Sequence, residues 1–153
     1  MSKSRGQELV EFALVLPLML LIILGALATA NAVSSSTQVN QAAARAALDA
    51  ANTSTANCSD AFSSAQAAVR EIVTSNLITV TQLSVDCNVK NNGGGSHDIC
   101  TGTLTTADAC TATHDIGDLL SVKVNAQVSF ALFGTGPNLG ISAIGASIIP
   151  RSP

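Results

Sequence analysis

The chain opens with a long apolar run. Residues 9–33 are almost wholly apolar and read LVEFALVLPLMLLIILGALATANAV. At about 1.5 Å of rise per residue, a helix of this length crosses a hydrocarbon core of about 30 Å. Lys3 and Arg5 precede the run, and the next basic residue is Arg45. The positive-inside rule therefore predicts one transmembrane helix with its N-terminus in the cytoplasm and the remaining chain outside.

Helical patterning continues beyond the run. Residues 37–51 are rich in alanine, the best helix former, and predict a helix that is either an exposed stalk or packs on a sheet. Residues 59–75 predict a second helix with Ser59 or Asp60 as its N-cap. Its apolar residues recur at helical spacing, which predicts a core-facing side made of Phe62, Ala65, Val69, Ile72 and Val73.

The second half of the chain predicts an antiparallel sheet. Residues 77–87 are rich in strand formers, and residues 119–133 alternate apolar with polar positions. A turn at 134–138 and a partner strand at 140–149 follow, whereas residues 88–116 predict a long loop. The predicted inner face of the alternating strand comprises Leu120, Val122, Val124, Ala126, Val128, Phe130 and Leu132. The pattern predicts an α+β fold: a long N-terminal transmembrane helix that continues into a small extracytoplasmic domain with a second helix and a short antiparallel sheet.

Length and charge limit what such a chain can be. With 153 residues, about 120 remain beyond the apolar run, enough for one ordinary domain. We expect a transmembrane helix over 7–33, a helical stalk and linker over 34–57, and an extracytoplasmic head over 58–153. Seven basic and ten acidic residues give a net charge of −3. Without a clustered positive face we expect no nucleic-acid partner.

Four cysteines, Cys58, Cys87, Cys100 and Cys110, all lie beyond the apolar run. An even count on one side of a membrane helix is typical of an oxidising compartment and predicts two disulfides. Four cysteines allow three pairings. Cys100 with Cys110 is the preferred pair, because these two residues are close in the chain and flank a loop rich in turn formers.

Candidate catalytic and metal-binding residues are few. The ligand types of a zinc site are present in four residues: His97, Cys100, Cys110 and His114. Their spacing matches no common zinc finger, however, and thiols outside the cytoplasm are expected to oxidise. No nucleophile–base–acid pattern and no phosphate-binding loop is present in the sequence. We therefore expect no enzyme activity, no metal, no cofactor and no small-molecule substrate.

Two residues inside the apolar run do not suit a simple anchor. Pro17 removes one helical hydrogen bond and predicts a kink. Glu11 lies near the start of the run, and a carboxylate at the centre of a membrane costs about 2.5–3.5 kcal/mol on insertion scales. Such a residue is expected to have a function and a partner.

Two segments resemble one known family. Residues 5–18, RGQELVEFALVLPL, resemble the opening of TadE-like proteins, which are pseudopilins or minor pilins of the tight-adherence (Flp-type) pilus system. Residues 38–47, QVNQAAARAA, are similar to the family's Asn-Ala-Ala-Arg-Ala stretch just beyond the membrane. The resemblance implies a structural or assembly component of a tight-adherence type IV pilus that supports adhesion and surface attachment. Its implied partners are other pilin subunits, tight-adherence assembly proteins and the bacterial inner membrane, with the head in the periplasm or outside the cell.

The resemblance also implies processing. A prepilin peptidase would cut between Gly6 and Gln7, so that residues 1–6 form a leader peptide. Glu11 then becomes the fifth residue of the mature chain, next to Phe12. In pilin-like proteins this glutamate pairs with the N-terminal amine of a neighbouring subunit, which compensates a desolvated charge and fixes the register between helices.

A different cleavage site gives the alternative hypothesis. Where family members often have an aromatic and a basic residue after the apolar run, this chain has the sequence ATANA over residues 28–32. Ala30-Asn31-Ala32 matches the small-x-small pattern of signal peptidase sites. Cleavage after Ala32 would release a secreted or periplasmic disulfide-bonded binding module. The apolar stretch 12–28, however, is longer than the usual signal-peptide core of about 7–15 residues, which favours the pilin interpretation.

Overall fold

The computed structural model describes residues 4–53, 57–89, 99–107, 119–129 and 138–149. The elements, in chain order, are α1 (Ser4–Asn52), α2 (Cys58–Ile72), β1 (Ile78–Val89), β2 (Ile99–Gly102), β3 (Leu119–Ser129) and β4 (Asn138–Ile148). This is the expected α+β fold. The chain divides into two compact units, an N-terminal unit (Met1–Ser34) and a head (Ser35–Pro153).

The N-terminal unit is the first part of α1. Its most apolar 18-residue window has a mean hydropathy of 2.6, and none of that window is buried by the rest of the protein. Large apolar side chains from Leu9 to Val33 are exposed. By length and composition, α1 is therefore a candidate membrane span, because a bilayer would cover the apolar surface that the protein leaves open.

The second part of α1 belongs to the core of the head. Its buried residues recur at helical spacing and are Val39, Ala42, Ala43, Ala46, Ala47, Ala50 and Ala51. The alanine-rich segment is therefore a packed face and not an exposed stalk. Gly145 of β4 shows how close this packing is: a Cβ there would clash with the carbonyl oxygen of Ala43 and lie 2.9 Å from the Cα of Ala44.

The head contains a four-stranded antiparallel sheet in the order β2-β1-β3-β4. β3 alternates buried and more exposed residues, and the prediction for Leu120, Val122, Val124, Ala126 and Val128 is confirmed. Phe130, Leu132 and residues 134–137 of the predicted turn lie outside the described residues. The turn prediction is wrong at Asn138, which is the first residue of β4 and pairs with Ser129. β3 and β4 pair without a register shift from Leu119↔Ile148 to Ser129↔Asn138, whereas the β1–β3 ladder is shifted twice.

The boundaries of α2 differ from the prediction. The helix begins at Cys58 and ends at Ile72, with Asn57 as its N-cap. Ser59 and Asp60 are therefore wrong as N-cap residues. Asn57 makes no side-chain capping bond; instead its carbonyl oxygen accepts hydrogen bonds from the backbone N–H groups of Asp60 and Ala61. The predicted apolar side is otherwise correct: Phe62, Ala65 and Val69 are buried, and Ile72 and Val73 pack partly buried against the core.

The segment predicted as one long loop contains strand residues at both described ends. β1 continues to Val89, and β2 pairs with β1 from Asp86↔Ile99 to Leu83↔Gly102. The loop prediction over 88–116 is wrong at these positions. A four-residue strand such as β2 is too short to be recognised by alternation of apolar and polar residues. Its backbone hydrogen bonds come from pairing with β1, which the sequence of β2 alone does not indicate.

Candidate functional site in the N-terminal helix

Glu11 lies in an apolar and exposed part of α1. Phe12 follows it directly and is 64% exposed. The residues three and four positions after Glu11, which share its side of the helix, are Leu14 and Val15, and both are exposed apolar side chains. A carboxylate flanked by exposed aliphatic side chains is suited to a contact with a second apolar helix that supplies a positive group.

The predicted processing bond lies one turn before Glu11. Gly6 and Gln7 are part of α1, which begins at Ser4. Residues four apart lie on the same side of a helix, about 6 Å apart along its axis. A chain that began at Gln7 would therefore present its terminal amine and the Glu11 carboxylate on one side of the same helix.

Pro17 lies inside α1, as expected from its position in the apolar run. Proline has no backbone N–H, so the carbonyl of Ala13, four residues earlier, loses its usual helical partner. Two turns of α1 therefore contain a charge at Glu11, an aromatic ring at Phe12 and a weakened helical turn at Pro17. The predicted kink stays a prediction.

The head is crosslinked near the start of α2. Cys58, the first residue of α2, forms a disulfide with Cys87 of β1 across a Cα–Cα distance of 6.0 Å. Cys100 of β2 is also disulfide-bonded, and its Sγ lies 3.1 Å from Sγ of Cys58. Cys110, His97 and His114 lie outside the described residues. Of the three possible pairings, the Cys58–Cys87 bond is compatible only with Cys100–Cys110, which stays a prediction.

α2 also fixes the turn that follows β2. The amide nitrogen of Gln66 donates to the carbonyl of Thr103 at 2.7 Å, and the guanidinium of Arg70 donates to the carbonyl of Leu104. The backbone N–H of Thr103 donates to the carbonyl of Thr106 and closes the turn. These bonds join α2 to the segment that follows β2, and the Cys58–Cys87 disulfide joins α2 to β1.

A shallow cleft lies between the end of α1 and α2 in the head. It encloses about 410 Å³ and is lined by Asp49, Asn52, Thr53, Ser64, Ala67, Ala68 and Glu71. No group of three or more His, Cys, Asp or Glu side chains within the described ranges is arranged to hold a metal ion.

Comparison with known families assigns the N-terminal part of the chain. Residues 6–48 match the model of the TadE-like protein family. This part of the chain is therefore similar to TadE-like proteins. No curated protein and no solved structure matches the chain significantly. The TadE-like segment contains Gly6, Glu11 and the apolar run, and it also includes the alanines of α1 that are buried in the head.

One structural determinant of this arrangement was missed by the sequence analysis. Gly145 lets β4 lie directly against α1 within the head. A glycine inside a strand pattern often marks a close backbone approach, and that is the signal that could have identified it. The buried end of the TadE-like segment and Gly145 thus form one packing contact.

Proposed function

We propose that this protein is a minor pilin or pseudopilin of a tight-adherence (Flp-type) pilus. The first part of α1 anchors it in the bacterial inner membrane, and the disulfide-bonded head lies on the outer side. The observation that carries the proposal is the TadE-like match over residues 6–48, which contains both the candidate cleavage site and Glu11. The apolar surface of α1 supports the anchor, and disulfides are typical of an oxidising compartment.

Processing prepares the chain for assembly. Prepilin peptidase cuts after Gly6 and creates a new terminal amine at Gln7. The cut also removes Lys3 and Arg5, the two charges that favour a cytoplasmic N-terminus. The mature helix is then easier to extract from the membrane into a fibre.

Glu11 gives the assembled helices their register. A carboxylate is costly in the apolar interior of a membrane, and an ion pair with the terminal amine of a neighbouring pilin would offset that cost for Glu11. Because the amine and the carboxylate are one turn apart on the same side of the helix, two helices displaced by about 6 Å along their axes bring the groups together. The protein thus acts as a structural subunit and not as an enzyme.

A pair of isosteric substitutions tests this role. Glu11→Gln keeps the size of the side chain but removes its charge, and we expect normal insertion of the protein into membranes with strongly reduced pilus formation. Glu8→Gln is the matched control, because it removes an acidic charge three residues earlier in the same helix. Piliation is counted by electron microscopy, and membrane content is measured by immunoblot. Normal piliation in Glu11→Gln would disprove the assembly role.

A further inference from the structure

Three sulfur atoms meet at the first turn of α2. Cys58 is the first residue of α2, Cys87 lies on β1 and Cys100 lies on β2, and each of these residues is at most 1% exposed. Sγ of Cys58 is bonded to Sγ of Cys87, and Sγ of Cys100 lies 3.1 Å from Sγ of Cys58. Cys58 therefore contacts two other cysteines but is bonded to only one of them.

The register of the sheet places Cys87 and Cys100 on the same face. Cys100 pairs with Val85 in the antiparallel ladder of β1 and β2. Side chains two residues apart on a strand point to the same face, so Cys87 is a diagonal neighbour of Cys100. Val85, Cys87 and Cys100 are all buried, so the face that they share is the one that packs in the core of the head.

The spacing of α2 matches the spacing of β2. Phe62, one turn after Cys58, lies over Gly102, where an added Cβ would be 2.9 Å from Cζ of the ring. Four helical residues rise about 6 Å, and two strand residues span about 6.6 Å. The step from Cys58 to Phe62 on α2 therefore equals the step from Cys100 to Gly102 on β2. This match brings the first turn of α2 to Cys100.

We propose that these three cysteines form a disulfide-exchange site, in which Cys58 changes its partner from Cys87 to Cys100. The disulfide of Cys100 is opened first by a dithiol reductant, such as a thiol–disulfide oxidoreductase. One thiolate of the reductant attacks the sulfur bonded to Cys100, and the second closes a disulfide within the reductant. Two electrons and two protons thereby pass to the protein and leave thiols at Cys100 and at its former partner.

The exchange step that follows is neutral in electrons. The thiolate of Cys100 attacks Sγ of Cys58 and forms the Cys58–Cys100 bond. The Cys58–Cys87 bond breaks, its electron pair leaves on Sγ of Cys87, and Cys87 takes up the proton that Cys100 lost. Reacting atoms in a near-attack arrangement are about 3–3.5 Å apart, and the 3.1 Å between Sγ of Cys100 and Sγ of Cys58 lies in this range.

α2 can keep its position during the exchange. Gln66 donates to the carbonyl of Thr103, and Arg70 donates to the carbonyl of Leu104, so hydrogen bonds already hold α2 beside the segment that follows β2. The exchange moves the covalent attachment of α2 from β1 to β2. A reducing signal at the disulfide of Cys100 thus produces a thiol at Cys87 in a head that stays folded. The inference concerns the head alone and does not rest on the pilus role.

Trapping the exchange in the wild-type protein is the first test. The full chain in detergent is treated with equimolar dithiothreitol, and samples are quenched with acid at successive times, because the thiolate is the nucleophile. Thiols are alkylated with N-ethylmaleimide at acid pH, and peptic peptides are identified by mass spectrometry. We expect a Cys58–Cys100 disulfide with alkylated Cys87 and Cys110. A time course without a Cys58–Cys100 disulfide would overturn the proposal.

The variant Cys110→Ser tests the same step without a reductant. It has three cysteines and therefore one disulfide and one thiol. In the folded variant we expect Cys58–Cys87 and Cys58–Cys100 to coexist within about tenfold of each other, since the loops that they close differ little in entropy. Circular dichroism verifies that the variant is folded.

The same variant in urea is the control for this geometry. In an unfolded chain Cys87–Cys100 closes the shortest of the three loops and should become the most populated disulfide. We expect that disulfide to be absent from the folded variant, because Cys58 lies between the two alternatives. A folded variant that contains only Cys58–Cys87, or mainly Cys87–Cys100, would contradict the exchange site.

Discussion

The N-terminal unit and the head use apolar residues in opposite ways. Phe12 in the N-terminal unit is 64% exposed, whereas Phe62 in the head is 1% exposed. Gly25 has open space around it, whereas Gly145 lies against the backbone of α1. The apolar side chains of the N-terminal unit are thus open to surroundings outside the protein, whereas those of the head are covered by internal packing. Sequence changes of the same kind should therefore have different consequences in the two units.

The largest difference is expected between the two phenylalanines. Phe62→Ala removes a buried ring and should lower the free energy of unfolding of the head by about 3–5 kcal/mol. Phe12→Ala, the matched change in the N-terminal unit, should leave that free energy unchanged. The measurement is urea unfolding of the full chain in detergent, followed by circular dichroism because the protein has no Trp or Tyr. Equal shifts in both variants would contradict the comparison.

Removing the disulfide should have the next largest effect. Cys58 and Cys87 are 29 residues apart, and closing a loop of this length stabilises a fold by about 3–4 kcal/mol in the chain-entropy model. The double variant Cys58→Ala and Cys87→Ala should lose a similar amount of unfolding free energy while its membrane association stays normal. A loss of unfolding free energy below about 1 kcal/mol would show that this disulfide contributes little to the stability of the head.

A smaller effect is expected from adding one methyl group. Gly145→Ala places a Cβ against the carbonyl oxygen of Ala43, and relieving this overlap should cost about 1–3 kcal/mol. Gly25→Ala adds the same methyl group where no atom lies within 4 Å, so the head should unfold at the same urea concentration as the wild type. If Gly25→Ala destabilised the head, or if Gly145→Ala left its stability unchanged, internal packing would not be the property that distinguishes the two units.

Periodicity predicted much of the fold. The alternation of β3 identified five of its buried residues, and the spacing around Phe62 identified the buried side of α2. β2 was missed because four residues carry no readable period, and its place comes from pairing with β1. The N-cap of α2 was predicted at the wrong residue because N-cap prediction relies on side-chain capping bonds. Asn57 makes no such bond and contributes only its backbone carbonyl oxygen, a group that every residue has.

The candidate site was readable from sequence for a different reason. Glu11 and Pro17 stand out because each is unfavourable in an apolar helix unless something compensates for it. The alanines at 42–47 carried no such signal. Their sequence allowed either an exposed stalk or a packed helix, and it is the burial of Ala42, Ala43, Ala46 and Ala47 in the structure that decides for packing. The TadE-like match at 6–48 therefore includes both Glu11, for which we propose a role in assembly, and a piece of the core of the head.

The most direct test of the account is the N-terminal residue of the mature protein. Intact N-terminal peptides from the protein in its native membranes can be identified by mass spectrometry. Prepilin-type processing produces a chain that begins at Gln7, and this is the result we expect. A chain that begins at Val33 would show signal-peptidase cleavage after Ala32 and a released binding module, and an uncleaved N-terminus would indicate a simple anchor. Either of these two results would contradict the proposed pilin role.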